Sequence, residues 1–119
     1  MVTQLQILNY KKNLVLKSRF RKYLPVVVDI ETGGFDPDTN AILEIAITLI
    51  EEKDKKLVVG ETYRHHITPF DGSIVEKESL EFTKIKLDHP LRVSVSEIDA
   101  LNDLFKIINK TKNKYECSR

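Results

Sequence analysis

The sequence predicts an α/β fold, a three-stranded antiparallel meander followed by helices. Apolar runs of strand length fall at about residues 25–31, 41–50 and 57–67. The loops between them are tight, as a meander requires. Further on, Ile98, Leu101, Phe105 and Ile108 recur at helical spacing, with Leu104 and Ile107 widening the stripe. A chain of 119 residues is one domain at most.

Composition narrows the functional classes. Charged residues make up 31% of the chain and nearly cancel, leaving a net charge of +1. Global charge therefore predicts no polyanion partner, and any nucleic-acid surface has to be local. The single cysteine, Cys117, cannot form an internal disulfide, which fits a reducing, cytoplasmic setting. It has no Cys/His cluster near it, so metal binding there is not expected. No apolar run reaches transmembrane length, and no membrane partner is expected. Residues 1–18 carry lysines but neither an unbroken apolar core nor a small-residue cleavage site, so no signal peptide is read.

Taken in order, residues 1–13 are polar, and 1–18 is set apart as a mobile segment ahead of a domain over 19–119. Leu16, Phe20, Tyr23 and Leu24 fall at helical spacing, which predicts a short helix over about 14–23. Its Lys17, Arg19, Arg21 and Lys22 read, on composition alone, as a solvated face. Pro25 fixes the entry to strand one. The turn-forming run Phe35-Asp36-Pro37-Asp38-Thr39-Asn40 leads to strand two, which is apolar on both faces near its start and hence central or covered. Residues 51–56 form a charged hairpin loop, and strand three alternates more before Pro69. Ser73 and Glu76 have capping-box spacing for a helix over about 74–82. Glu78 and Phe82 share a face of it, Phe82 read most simply as core and Glu78 as solvent-facing. Ser94 and Glu97 repeat the box ahead of a helix over about 95–109, and residues 110–119 show no apolar periodicity.

Strand one carries the chemistry. Val26-Val27-Val28-Asp29-Ile30-Glu31 is a β-branched run expected to be short and fully buried, yet two acids interrupt it. Side chains alternate along a strand, so Asp29 and Glu31 share a face. Adjacent carboxylates repel unless a cation sits between them. Thr32-Gly33-Gly34 then ends the strand and permits close approach, with Phe35 beside the acids. A bare Asp-x-Glu is a weak signal, more often a solvated strand end than a site. The apolar strand before it, the glycines after it, and a second apolar strand carrying Glu44 strengthen it.

Val27-Val28-Asp29-Ile30-Glu31-Thr32-Gly33-Gly34-Phe35, followed by Ile42-Leu43-Glu44-Ile45-Ala46, resembles the first motif of the DEDD 3′–5′ exonucleases, and within them the ribonuclease T family. Arg19-Phe20-Arg21 before Pro25, His66 through Pro69-Phe70, Glu78 to Phe82, and the helix starting near Ser94-Val95-Ser96-Glu97 extend the likeness. The resemblance implies a ribonuclease H-like fold and a homodimeric 3′–5′ exoribonuclease. Its substrates would be the 3′ ends of tRNA and other structured RNAs, or single-stranded DNA, cleaved with two Mg2+ ions or with Mn2+. It implies metal-binding catalytic acids at Asp29 and Glu31, and terminal-nucleotide contacts at Phe35, Glu78 and Phe82. Phosphate contacts are implied at Arg19, Arg21 and Lys22.

The same resemblance implies a third Asp and a His-x-x-x-x-Asp pair, neither of which is read in this sequence. His66 and Asp71 have the spacing but lie at the end of strand three, ahead of both later helices, where the family's pair does not belong. His65 and His66 read as ordinary strand-end residues. The expectation is a partial ribonuclease H-like fold lacking the C-terminal half of its sheet. The chain would be inactive alone, and Val26 to Ile30 would be left as an exposed apolar edge. The alternative expectation is a non-catalytic nucleic-acid-binding or dimerisation module derived from an exonuclease.

Overall fold

The computed structural model describes residues 15–118. The expected mobile stretch 1–13 and the first residue of the expected helix over 14–23 lie outside the described residues. The elements are α1 (Val15–Arg19), β1 (Val26–Thr32), β2 (Ile42–Lys53), β3 (Lys56–Ile67), α2 (Lys77–Thr83), β4 (Ser94–Val95) and α3 (Glu97–Lys114). The strands form one sheet in the order β1-β2-β3-β4.

The meander is present, and its hairpin is tighter than expected. Asp54 and Lys55 alone join β2 to β3, with φ of 52° and 63°. Positive φ at both central residues is what a two-residue hairpin turn matched to strand twist demands. Strand pairing therefore takes over most of the expected charged loop. β4 is an addition to the expected sheet. It runs parallel to the end of β3, with His66 opposite Ser94 and Ile67 opposite Val95. Thr68 N donates to the Val95 carbonyl at 2.8 Å, and the Thr68 and Ser94 hydroxyls meet at 2.7 Å. A strand of two residues is too short to show a period, so nothing in its sequence announces it.

β1 is not the buried strand that its valines suggest. It is the outermost strand of the described sheet, and Val27, Val28 and Ile30 are 56%, 52% and 44% exposed. An edge strand has a neighbour on one side only, so burial does not follow from β-branched composition. The exposed apolar edge implied by the family resemblance is what the fold contains.

Both capping boxes also need correction. α2 begins at Lys77, and Glu76 at its N-cap makes no side-chain capping bond. Ser73 lies in a preceding turn, donating from its backbone to Phe70. α3 is capped by Ser96, whose Oγ accepts from Asp99 N at 3.1 Å, because Ser94 is taken up in β4. α3 also continues to Lys114. The tail read as featureless then supplies buried Tyr115 and Cys117.

The chain divides into two compact units. The first holds residues 15–27, 48–61 and 105–118 of those described. Its core is Leu16, Leu24, Tyr115 and Cys117, with Phe20, Val26, Ile50, Leu57 and Ile108 packed on it. Glu52 links its segments, accepting from Leu16 N at 2.6 Å and donating its own N–H to the Tyr115 hydroxyl at 3.2 Å. The second unit holds residues 28–47 and 62–104. There Ile45, Ala46 and Ile47 are buried in succession, so both faces of β2 are covered, as its apolar run implies. His65 Nε2 meets Asp103 Oδ2 at 2.7 Å, tying β3 to α3.

Candidate functional site

The site grows from the exit of β1. Gly33 leaves little room for a side chain and Gly34 none while Asn40 keeps its place. A Cβ on Gly33 would lie 3.0 Å from the Val75 backbone, and one on Gly34 would run into the Asn40 side chain. That close approach lets Asn40, only 7% exposed, act as a rivet. Its Oδ1 accepts from Asp36 N at 2.8 Å, and its Nδ2 donates to the Ile74 carbonyl at 2.9 Å and more loosely to Gly33 at 3.4 Å. Backbone bonds run alongside. Gly33 N donates to Ala41, Ile74 N to Thr39, and Glu76 N to Gly33, all at 2.7–2.8 Å. Thr32 Oγ1 donates to the Gly34 carbonyl at 2.7 Å, and Asp38 N to Asp36 Oδ1 at 2.9 Å, closing an Asx turn. The loop after β1 and the approach to α2 are thereby one rigid piece.

Phe35, carried by that loop, and Glu78 and Phe82, carried one helical turn apart on α2, line a cleft of about 420 Å³ with Glu31. Phe35 is fully exposed and Phe82 is 87% exposed, so Phe82 is not the core residue its spacing suggested. The structure thus brings together four of the residues singled out in the sequence: Glu31, Phe35, Glu78 and Phe82. Asp29 does not line the cleft. It sits two positions back on β1, exposed, where strand alternation turns it to the same face as Glu31.

Arg19, Arg21 and Lys22 belong to the other unit. All three are exposed at the end of α1, where Arg21 and Lys22 take φ of 54° and 69° and Lys22 N closes the helix on the Lys17 carbonyl at 2.7 Å. Glu44 is partnered within the sheet by Arg64 Nε at 3.3 Å, and the buried His66 Nδ1 lies 3.4 Å from its other oxygen without making a hydrogen bond.

Among the described residues no cluster of three or more His, Cys, Asp or Glu is arranged to hold a metal. The pair Asp29 and Glu31 offers hard oxygen donors beside open solvent. That set suits a divalent ion such as Mg2+, which takes one or two carboxylates and completes its shell with water and phosphate. The residue that sequence reasoning passed over is Asn40. Its signal was present, as an Asn closing a Gly-Gly and Asp-Pro loop, but it read only as turn chemistry.

The class of protein that carries this sheet and cleft is a nuclease, by its family. The family model described as exonuclease (RNase_T) matches residues 26–115, and the chain belongs to that family. The α/β architecture is accordingly that of a partial ribonuclease H-like exonuclease fold. Among curated proteins the chain is similar to ribonuclease T of Shewanella oneidensis, 46% identical over 105 residues. That match takes in 87% of this chain and 47% of the relative, so the chain spans about half the length of the curated relative it matches.

Proposed function

We propose that this chain is part of a 3′–5′ exoribonuclease of the ribonuclease T kind, trimming the 3′ ends of tRNA and other structured RNAs. The observation that carries this reading is the pairing of exposed Phe35 and Phe82 in one cleft with Glu31 and Glu78. Leaving two large aromatics in water forgoes apolar burial, and a planar base stacked on them recovers it. Stacking of this kind contributes about 1–3 kcal/mol per base. It is indifferent to base identity, which suits an enzyme that removes successive nucleotides. Glu78 supplies an acceptor for a sugar hydroxyl or base amine of the nucleotide held there.

Asp29 and Glu31 would hold Mg2+ (or Mn2+) at the strand exit, next to the terminal phosphodiester. Metal held there would supply activation of the attacking water and stabilisation of the leaving oxygen. The chain's own residues position the terminal nucleotide: Phe35 and Phe82 hold the base, and Asn40 fixes Phe35 relative to α2. Arg19, Arg21 and Lys22 are separate candidates for phosphate contacts elsewhere on the nucleic acid. The third Asp and the His-x-x-x-x-Asp pair of the four-acid set are not read among these residues, so the 119-residue chain by itself is proposed to bind rather than cleave.

The experiment is a trimming assay on an RNA with a short single-stranded 3′ tail, with and without magnesium, beside an Asp29→Asn variant. Tail binding without cleavage is expected of this chain. Trimming that needs both magnesium and Asp29 would refute the proposed inactivity and uphold the exonuclease. A soluble, folded chain that binds no RNA would refute the nucleic-acid reading altogether.

A further inference from the structure

We propose that a second pocket in the same unit holds the phosphates immediately upstream of the terminal nucleotide. This inference rests on the reading of the aromatic cleft as the terminal-nucleotide site. The pocket, of about 540 Å³, is lined by Glu44, His66, Lys84, Lys86, His89 and Arg92, and it meets the aromatic cleft at Thr83, which lines both. An RNA tail leaving the cleft past the end of α2 enters it.

Its chemistry is that of a backbone site. Lys84, Lys86 and Arg92 face a single carboxylate, Glu44, which is already engaged by Arg64. The chain as a whole is close to neutral, so this is a local concentration of cations. Arg92 is committed to the fold: Nη2 donates to the Leu43 carbonyl at 3.1 Å and to the Ile67 carbonyl at 2.9 Å. It pins the loop over 84–92 to the sheet and leaves Lys84 and Lys86 to act. Lys84 is held at φ 60°, ψ 23° as the C-cap of α2, and half-buried Ile85 separates two exposed lysines that make no ion pair among the described residues. His89 Nδ1 accepts from Leu91 N at 3.1 Å, which places the ring proton on Nε2 as a further donor. The pocket lining includes no Phe, Tyr or Trp, so it offers charge and donors without a stacking platform. Phosphate, not base, is the group that such a surface takes.

The test measures binding of the whole chain to a ribonucleoside monophosphate and to a 5′-labelled tetraribonucleotide, with calcium as the divalent ion. Salt is varied between about 50 and 200 mM. The double variant K84E/K86E is expected to weaken tetranucleotide binding about tenfold at low salt. Its salt slope should fall by about 1.4, the loss of two phosphate contacts on a single strand. Monophosphate binding should stay at the parent level, and K84R/K86R should restore the tetranucleotide. A K84E/K86E chain that is folded by circular dichroism and keeps the parent affinity and slope would overturn the proposal. Phe82→Ala tests the cleft separately. Monophosphate affinity untouched by Phe82→Ala, with the tetranucleotide still lost in K84E/K86E, would keep the phosphate pocket and sink the base clamp.

Discussion

The Asn40 side-chain amide donates to the Ile74 carbonyl at 2.9 Å, and that bond joins the loop presenting Phe35 to the segment that becomes α2. Asn40→Ala removes this bond and leaves the Asp36 N–H and the Ile74 carbonyl without their side-chain partner. A cost of about 1–3 kcal/mol is expected, the usual penalty for stranded polar groups. Urea unfolding measures it. The same variant should weaken monophosphate binding although Asn40 does not line the cleft. Asn40→Asp should be at least as damaging, since it sets a carboxylate against the carbonyls of Ile74 and Gly33.

Phe35→Ala and Phe82→Ala should separate binding from stability. Both side chains are exposed, so truncation is expected to shift the unfolding midpoint within about 0.5 kcal/mol. Each should weaken terminal-nucleotide binding by about 1–3 kcal/mol, measured by titration with a ribonucleoside monophosphate. A large loss of stability with unchanged affinity would make them packing residues instead.

Arg92→Lys is not a conservative change. One guanidinium nitrogen bonds two carbonyls, Leu43 and Ile67, and an ammonium on a flexible stem does not reproduce that geometry. Burial lowers the Arg92 pKa, and Glu44 offsets part of the shift, but the side chain stays charged. A loss of about 1.5–3 kcal/mol is expected, the range for hydrogen bonds to a charged group. Hydrogen exchange should localise the effect to residues 84–95.

Cys117 gives a pH prediction for the first unit. Burial pushes its thiol above the ordinary value of 9.0, with Lys17 pulling partly the other way. The folded state then holds the proton longer than the unfolded state does. The contribution is complete below the ordinary thiol pKa and is lost as pH rises through the higher folded one. Urea midpoints at about pH 8 and about pH 10 should fall further for the parent than for Cys117→Ala. Native-state labelling by a thiol reagent should be slow until the unit unfolds.

Where one side chain or one period carried the information, the sequence was legible. The hairpin and β2 with both faces covered follow from alternation, and the existence of α3 follows from the 3.6-residue stripe, but Ile98, Leu101 and Phe105 of that stripe are exposed and the helix buries Ala100 and Leu104 instead. The clustering of Glu31, Phe35, Glu78 and Phe82 followed from family likeness and not from spacing, since nothing local draws residue 31 to residue 78. Features set by tertiary contact were not legible. β4 is tied to the end of β3 by the bonds Thr68 makes to Val95 and Ser94, and the end of α3 is followed by a buried Tyr115 in a polar stretch. The exposure of β1 is fixed by its place in the sheet and not by its three valines.

That place has a practical consequence for any nuclease assay. Asp29 and Glu31 are the only charges in the Val26–Thr32 strand, and that strand is the outer one of the described sheet. Whatever they do for a metal, they also act as gatekeepers, breaking a β-prone aliphatic ribbon that is otherwise ready to template self-association. Neutralising Asp29 as the control of the trimming assay therefore removes half of that protection. A silent Asp29→Asn preparation has to be read beside its light scattering, because a colloidal failure and a chemical one give the same blank lane.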